Sequence, residues 1–166
     1  MPQILVTGPQ RSGTTIAARI IAHDLDIEYI DESDVQFNDI PEHCVIQAPF
    51  ALKCLVELSF IQPNLNFAFM VRDPQDIKKS MERIEWYKDV INDPLFYDKY
   101  LAHCQHLWLS CKVLIPEERL TELSYNSLRD HPLFIKDRSD FTVRQWQLDN
   151  PIGPKTWRHD RHLNRP

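Results

Sequence analysis

GPQRSGTT, residues 8–15, stands directly after a short apolar segment, Ile4–Thr7, and directly before apolar residues at helical spacing. Those apolar residues are Ile16, Ile20, Ile21 and Leu25. The order predicts a buried strand, a loop and an amphipathic helix. The two glycines permit backbone angles that turn amide N–H groups inward, and the helix presents the positive end of its dipole to the same place. An anion-binding loop of the phosphate-loop type is therefore expected here.

The loop differs from a nucleoside-triphosphate loop at one informative position. Such a loop places a lysine where this chain has Thr14, and the cation here is Arg11 instead. The segment could also be a turn that only opens a helix. Strand, paired glycines, cation and tandem threonines in this order favour the anion site. The residues expected to bind the anion are Gln10, Arg11, Ser12, Gly13, Thr14 and Thr15.

Strands and helices alternate along the rest of the chain. Further strands are predicted at Ile27–Ile30, Cys44–Gln47, Asn66–Val71 and Arg119–Ser124, and helices at Ala51–Phe60 and about Leu95–Lys112. Such alternation implies right-handed crossovers, a parallel sheet and ligands at the carboxyl ends of its strands. We expect a P-loop NTPase-like α/β fold in three layers, with about four to five parallel strands flanked by helices.

A helix start with several agreeing signals follows the Asn66–Val71 segment. Asp73 can cap it, Pro74 suits its first position and Asp76 adds negative charge to its first turn. The residues expected on its inner face are Ile77, Met81 and Ile84, and the later helix should bury Leu101, Cys104, Trp108 and Cys111.

The composition is that of an ordinary globular protein, with 166 residues, 43% apolar and 26% charged. We expect one domain over residues 1–166, no membrane span, no secretory signal and a cytoplasmic location. A net charge of -5 argues against general nucleic-acid binding. Any anion site must therefore be local.

Two further groups of residues have open interpretations. The four cysteines, Cys44, Cys54, Cys104 and Cys111, lack CxxC spacing and are expected to be reduced core residues rather than disulfides or metal ligands. From about residue 151 the chain has a basic tail, which is either a solvated terminus or a part of the anion site. Its basic residues are Lys155, Arg158, His159, Arg161, His162 and Arg165. Lys155 is our candidate in the tail for cofactor binding.

The loop resembles the first signature of the sulfotransferases, PRSGTT or PKSGTT after the first strand, with Gln10 inserted between Pro9 and Arg11. The resemblance implies that the loop holds the 5′-phosphosulfate of 3′-phosphoadenosine 5′-phosphosulfate. It also implies that Arg11 neutralises charge on the bridging oxygen as the sulfuryl group leaves.

Arg72-Asp73-Pro74, with Ser80 eight residues after Arg72, looks like the 3′-phosphate site of the same family. Arg72 offers a charged fork for phosphate oxygens, and Ser80 falls on the predicted inner face of its helix. An ATP enzyme would have no 3′-phosphate for this pair to bind. Alternatively, Arg72 forms a salt bridge with a carboxylate and Ser80 bonds to its own helix.

The segment between the signatures, QAPFALK at residues 47–53, resembles KDPF(T/A)LK of the tyrosylprotein sulfotransferases. Gln47 replaces a lysine that is catalytic in those enzymes, so charge stabilisation must depend more on Arg11, Lys53 or a tail residue. YNSL, beginning at Tyr125, is similar to the looser YEDL segment near the adenine pocket of the family.

Sulfuryl transfer to a hydroxyl also needs a base on the attacking oxygen. Asp31 and Glu32 follow the second predicted strand, and the resemblance places a glutamate pair there with the second as base. Glu32 is therefore our candidate base, although both carboxylates could be solvated or cap the following segment. His103 and His106 are expected to be surface or packing residues.

These patterns favour a sulfotransferase that uses 3′-phosphoadenosine 5′-phosphosulfate, yields adenosine 3′,5′-bisphosphate and needs no metal. The alternatives are a P-loop nucleotide kinase and a catalytically silent bisphosphate-binding protein. The acceptor is a hydroxyl of a small molecule, a saccharide or a peptide. The sequence does not distinguish among these acceptors and does not indicate the oligomeric state.

Overall fold

Five parallel strands form one sheet in the computed structural model, which describes residues 2–84 and 93–134. They are β1 (Gln3–Thr7), β2 (Glu28–Asp31), β3 (Cys44–Gln47), β4 (Leu65–Val71) and β5 (Leu120–Ser124). Their order across the sheet is β2-β3-β1-β4-β5. The predicted α/β class and parallel sheet are confirmed, while the predicted basic tail with Lys155 lies outside the described residues.

Among residues 2–84 and 93–134, four α-helices connect the strands. They are α1 (Thr14–Leu25), α2 (Leu55–Ile61), α3 (Pro74–Arg83) and α4 (Phe96–Leu114). Short 3₁₀ turns precede α2 at Pro49–Cys54 and flank β5 at Glu117–Arg119 and Tyr125–Leu128. In the described part of the chain, none of these helices combines the length and hydrophobicity that a bilayer crossing needs.

The central strands β1, β3 and β4 are mostly buried, and their successive side chains point to opposite faces of the sheet. Leu5, Ile46 and Phe67 pack with α2 and α4 on one face. Val6 and Val45 pack with α1 on the other face. This alternation gives the predicted three layers.

Helix α4 contributes its predicted stripe to the first of these layers. Cys104, Trp108 and Cys111 are buried, and Leu101 is half-buried. The Trp108 ring stacks on Phe69 of β4 at 4.6 Å between centroids. All four cysteines are free, and burial raises the pKa of the Cys111 thiol to about 11. They are packing residues, as expected.

Helix α3 begins as its signals predict. The Asp73 carboxylate accepts hydrogen bonds from the backbone N–H groups of Gln75 (2.8 Å) and Asp76 (3.3 Å). Ile77 and Met81 are buried. The prediction for Ile84 is wrong, because the helix ends at Arg83 and Ile84, its C-cap, is 39% exposed.

Two predicted boundaries also need correction. Ala51–Phe60 is not one helix: residues Pro49–Cys54 form a 3₁₀ turn before α2, and Phe60 is exposed. Arg119 belongs to a 3₁₀ turn rather than to the last strand. Its guanidinium donates to the carbonyl oxygens of Ser59, Gln62 and Leu65 at 2.7–3.0 Å, which ties β5 to the end of α2.

Candidate nucleotide site

The candidate residues share the carboxyl edge of the sheet. In the parallel register Asp31 pairs with Gln47 and Gln47 with Val6, while Val6 pairs with Ala68 and Val71 with Ser124, so β4 and β5 extend beyond the other strands at the same edge. The residues that follow the ends are Gly8, Glu32, Arg72 and Tyr125. The neighbours β1 and β3 are followed by helices on opposite faces of the sheet, α1 and α2, and open α/β sheets bind ligands at such a switch point.

The loop after β1 has the backbone geometry that its glycines predict. Gly8 has φ 142° and Gly13 has φ 103°, and Arg11 also lies in the left-handed region at φ 67°. The turn is closed by a bond from the Ser12 N–H to the Pro9 carbonyl oxygen, 3.1 Å. A Cβ on Gly8 would lie 3.2 Å from the backbone nitrogen of Met70, so a larger residue would push the loop away from β4.

The loop contains a buried hydroxyl group, that of Ser12. Ser12 is fully buried, and its Oγ has no hydrogen-bond partner among the described residues. Leaving a buried hydroxyl unpaired costs free energy, so such groups usually bind a ligand or water. Helix α1 begins at Thr14 without a side-chain cap, which leaves the positive end of its dipole for an anion.

Arg11 joins the loop to α3. Its Nε donates a hydrogen bond of 3.2 Å to the Ser80 hydroxyl, and its carbonyl oxygen accepts one of 2.9 Å from Nη1 of Arg72. Both members of the predicted 3′-phosphate pair therefore contact Arg11, Ser80 through the Arg11 side chain and Arg72 through the Arg11 backbone. The alternative pairing of Arg72 with a carboxylate is not found in the described part of the chain.

Arg72 also holds the 3₁₀ turn that follows β5. Its guanidinium carbon lies 4.1 Å from the centre of the Tyr125 ring, a cation–π contact. Its Nε is buried and has no hydrogen-bond partner among the described residues. An arginine with one unpaired buried donor at the edge of a candidate anion site has a donor left for a ligand.

The Tyr125 ring lies against the loop at Gly13. A Cβ on Gly13 would be 2.6 Å from Cδ2 and 2.8 Å from Cε2 of Tyr125. Real Cβ atoms do not approach other atoms this closely, so glycine is required here for space as well as for its positive φ. Tyr125 therefore touches both the loop and Arg72.

Gln47 ends β3 inside the site and is 5% exposed. Its Nε2 donates to the Thr14 hydroxyl across 3.4 Å. A neutral amide thus stands beside the first residue of α1, in the place where the resembling family carries a lysine.

The two carboxylates at the end of β2, Asp31 within the strand and Glu32 after it, have different environments. Asp31 accepts hydrogen bonds from the Tyr29 hydroxyl (3.1 Å) and from the Ser33 N–H (3.2 Å). Glu32 has a buried Oε2 without a partner among the described residues. Burial, and secondly the charge of Asp31, raise the pKa of the Glu32 carboxyl above its usual range.

Of the remaining predicted residues, three are exposed and one is half-buried. Lys53 is exposed on the 3₁₀ turn after β3, and His103 and His106 are exposed on α4. Thr15 is half-buried in the first turn of α1. Their roles stay predictions.

Tyr100 makes a contact with the loop that no pattern in the sequence predicted. The Gln10 N–H donates a hydrogen bond of 2.9 Å to its hydroxyl oxygen, which fixes the start of the loop to α4. The Phe96 ring stacks beside it at 6.2 Å between centroids. Ninety positions separate the partners, and no local pattern marks such a contact.

Comparisons with known proteins agree on the fold. Neither a protein-family model nor a curated protein sequence matches the chain. Among solved structures, the sulfotransferase domain from the curacin biosynthetic pathway matches with TM-score 0.58 and 15% identity, covering 93% of this chain and 76% of that one. The YorR protein of Bacillus subtilis, in complex with phosphorylated GDP, matches with TM-score 0.50 and 13% identity over 74% and 85%.

These likenesses show the fold alone, because both identities are low. The chain therefore has the α/β fold of the P-loop type. The chemistry of the candidate site depends on the residues of this chain.

Proposed function

We propose that the chain is a sulfotransferase that moves a sulfuryl group from 3′-phosphoadenosine 5′-phosphosulfate to an acceptor hydroxyl. The observation that carries this proposal is the link between Arg11 and the pair Arg72 and Ser80. One continuous cationic site then serves two anionic groups of a single nucleotide, the 5′-phosphosulfate at the loop and the 3′-phosphate at the pair. A nucleoside triphosphate has nothing to place at the second position.

Each side chain has a role in this proposal. The loop amides, the Ser12 hydroxyl and the α1 dipole bind the 5′-phosphosulfate, and Arg11 offsets the charge that develops on the bridging oxygen. Arg72 and Ser80 bind the 3′-phosphate, and Tyr125 lies beside the loop where the resemblance places adenine. The acceptor oxygen forms its bond to sulfur as the bond from sulfur to the bridging oxygen breaks, and that electron pair goes to the phosphate.

Glu32 is proposed to take the acceptor proton. A carboxyl with a raised pKa is a stronger base than an ordinary one once it is ionised. Its buried Oε2 has no partner among the described residues that would compete for the proton. Asp31 is already committed to two hydrogen bonds, so it is the weaker candidate.

A catalytically silent bisphosphate-binding protein is the second candidate, and Gln47 favours it. The amide that donates to Thr14 carries no charge for the leaving phosphate. Such a protein would bind adenosine 3′,5′-bisphosphate as well as an enzyme does. Release of the bisphosphate from 3′-phosphoadenosine 5′-phosphosulfate in the presence of an acceptor distinguishes the two.

Thermal unfolding tests the nucleotide class. A ligand at about 100 times its Kd adds about 2.7 kcal/mol to the free energy of unfolding, and each kcal/mol raises the midpoint by about 2–4 °C at this size. Adenosine 3′,5′-bisphosphate should raise the midpoint without metal, and more than adenosine 5′-phosphate at equal concentration. An equal rise with ATP, or a rise only with magnesium, would contradict the proposal and favour a kinase.

A further inference from the structure

The side chain of His131 connects the segment after the Tyr125–Leu128 turn to the end of α1. Nε2 of His131 lies 3.1 Å from Oδ1 of Asp24, and Nδ1 of His131 accepts a hydrogen bond of 3.1 Å from the Leu133 N–H. The second contact closes a turn from a side-chain acceptor to the N–H two residues later. Asn and Asp side chains form the same kind of turn.

These two contacts fix the proton on His131. Nδ1 accepts, so in the neutral ring the proton is on Nε2 and is donated to Asp24. One ligand atom from each of His23, Asp24 and His131 lies within 4.8 Å of the other two, a spacing that suits a metal ion. A metal would need the lone pair of Nε2, and the Leu133 N–H directs the proton to that atom.

The turn leads directly to the nucleotide site. Leu133 is 9% exposed and belongs to the core cluster around α1, with Phe134 packed against that cluster. The Phe134 ring meets the Tyr125 ring edge to face, with 5.4 Å between centroids. Tyr125 in turn touches Gly13 and Arg72. A continuous series of contacts thus joins His131 to the phosphate loop.

We infer that His131, in its neutral form, is a positioning residue for the nucleotide site and makes nucleotide affinity sensitive to acid. This inference rests on the proposed function. It closes the turn that holds Phe134 against Tyr125, and Tyr125 then keeps its place on the loop and on Arg72. Protonation puts a second N–H on Nδ1, facing the Leu133 N–H, so the turn loses its closing hydrogen bond.

Charged and titratable groups face His131 from α1 and from its own segment. From α1 it faces Asp24 and the His23 ring, whose centroid is 5.9 Å away. On its own segment Asp130 and Arg129 precede it, and Arg129 is directed over the Tyr125 ring at 5.9 Å. Asp24 can keep its contact with Nε2 in either protonation state. Acid therefore breaks the turn selectively rather than the whole attachment.

Isothermal titration of the full chain with adenosine 3′,5′-bisphosphate at pH 7.5 and 5.5, in EDTA, tests the inference. His131→Ala should weaken binding by up to about tenfold at pH 7.5, because the turn affects the site only through Phe134 and Tyr125 and the hydrogen bond that closes it has about that value. His131→Asn keeps an acceptor for the Leu133 N–H and does not titrate. It should restore most of that affinity and show a smaller loss at pH 5.5 than the wild type.

The bisphosphate itself gains protons near pH 6, so every variant will bind somewhat more weakly in acid. The difference between the wild type and His131→Asn is therefore the readout. His103→Asn, the same change on the exposed face of α4, is the matched control and should keep the wild-type pH response. An unchanged pH response in His131→Asn would overturn the inference, as would wild-type affinity that EDTA abolishes.

A readout without ligand separates this inference from the proposed function. Hydrogen exchange at the Leu133 amide should speed up in His131→Ala, and in the wild type at pH 5.5 after correction for intrinsic rates, but not in His131→Asn. If these rates behave as expected while the bisphosphate binds no variant, the proposed function fails and the turn stands. If the exchange rate of the Leu133 amide is the same in the wild type and in both His131 variants, His131 does not close the turn.

Discussion

Arg72 donates a hydrogen bond of 2.9 Å from Nη1 to the carbonyl oxygen of Arg11, so the arginine after β4 supports the phosphate loop that it also faces. Its buried Nε has no hydrogen-bond partner among the described residues, so Arg72 also has a donor left for a ligand in the same site. Ser80, which accepts from the Arg11 side chain, has no comparable bond to the loop backbone among the described contacts. The two members of the proposed 3′-phosphate pair should therefore differ on mutation.

Arg72→Ala should weaken adenosine 3′,5′-bisphosphate binding by about ten- to a hundredfold, the value of a charged hydrogen bond. It should also weaken adenosine 5′-phosphate by a smaller factor, because the loop loses its support. Ser80→Ala should weaken only the bisphosphate, by less than tenfold. Calorimetry with both ligands measures this. If Ser80→Ala affects the two ligands alike, the 3′-phosphate is bound elsewhere.

Gly13→Ala should destabilise the protein and remove nucleotide binding. A side chain at φ 103° costs about 1–3 kcal/mol, and its Cβ would collide with the Tyr125 ring. Adding Tyr125→Ala should recover part of the lost thermal midpoint, since it removes the collision but not the backbone strain. A Gly13→Ala protein with an unchanged midpoint would show that the ring does not lie on the loop in solution.

Gln47→Lys should supply the charge that the site lacks. Burying an ammonium at a position that is 5% exposed costs free energy, so the ligand-free midpoint should fall. The rise in midpoint on adding adenosine 3′,5′-bisphosphate should be larger than in the wild type, and bisphosphate release should be faster. Gln47→Met, of similar length without charge, is the control and should show neither gain. A lysine variant that binds no better would mean that this position does not face the phosphate.

The sequence was sufficient to predict the sheet and the loop because both depend on local patterns. Apolar runs such as residues 66–71 predict buried strands, and the spacing of Gly8 and Gly13 predicts the loop conformation. The parallel strands then bring Glu32, Arg72 and Tyr125 to the same edge of the sheet without further information. The topology alone therefore assembled most of the candidate site.

The contacts between distant segments could not be predicted in the same way. The bond from Gln10 to Tyr100 spans 90 positions, and that from His131 to Asp24 spans 107. Each depends on how a helix or turn packs, which no periodicity encodes. The exposure of Ile84 has a simpler cause: its spacing suits the inner face of α3, but the helix ends one residue earlier.

Glu32→Gln should leave affinity for adenosine 3′,5′-bisphosphate nearly intact and lower turnover by about 10²- to 10⁴-fold, because a base acts mainly in the transition state. The assay first needs an acceptor, found by screening phenols, sugars and hydroxylated metabolites for bisphosphate release. Asp31→Asn is the control and should lower turnover less. If Glu32→Gln keeps more than about a tenth of the activity with chemistry as the slow step, the base is another residue.

The raised pKa of Glu32 makes two further outcomes measurable. A carboxyl whose pKa is higher in the folded state than in the unfolded state stabilises the fold below its unfolded pKa, and this contribution is lost as pH rises through the folded pKa. At neutral pH the ionised Glu32 therefore destabilises the fold, and Glu32→Gln should have a thermal midpoint at or above that of the wild type.

The fall of kcat/KM on the acid side of its pH profile, the acid limb, should follow the protonation of the same Glu32 carboxyl group. Asp31→Asn removes one of the two causes of the shift, so it should move this limb to lower pH, whereas a limb that stays in place would assign the titration to a group other than Glu32.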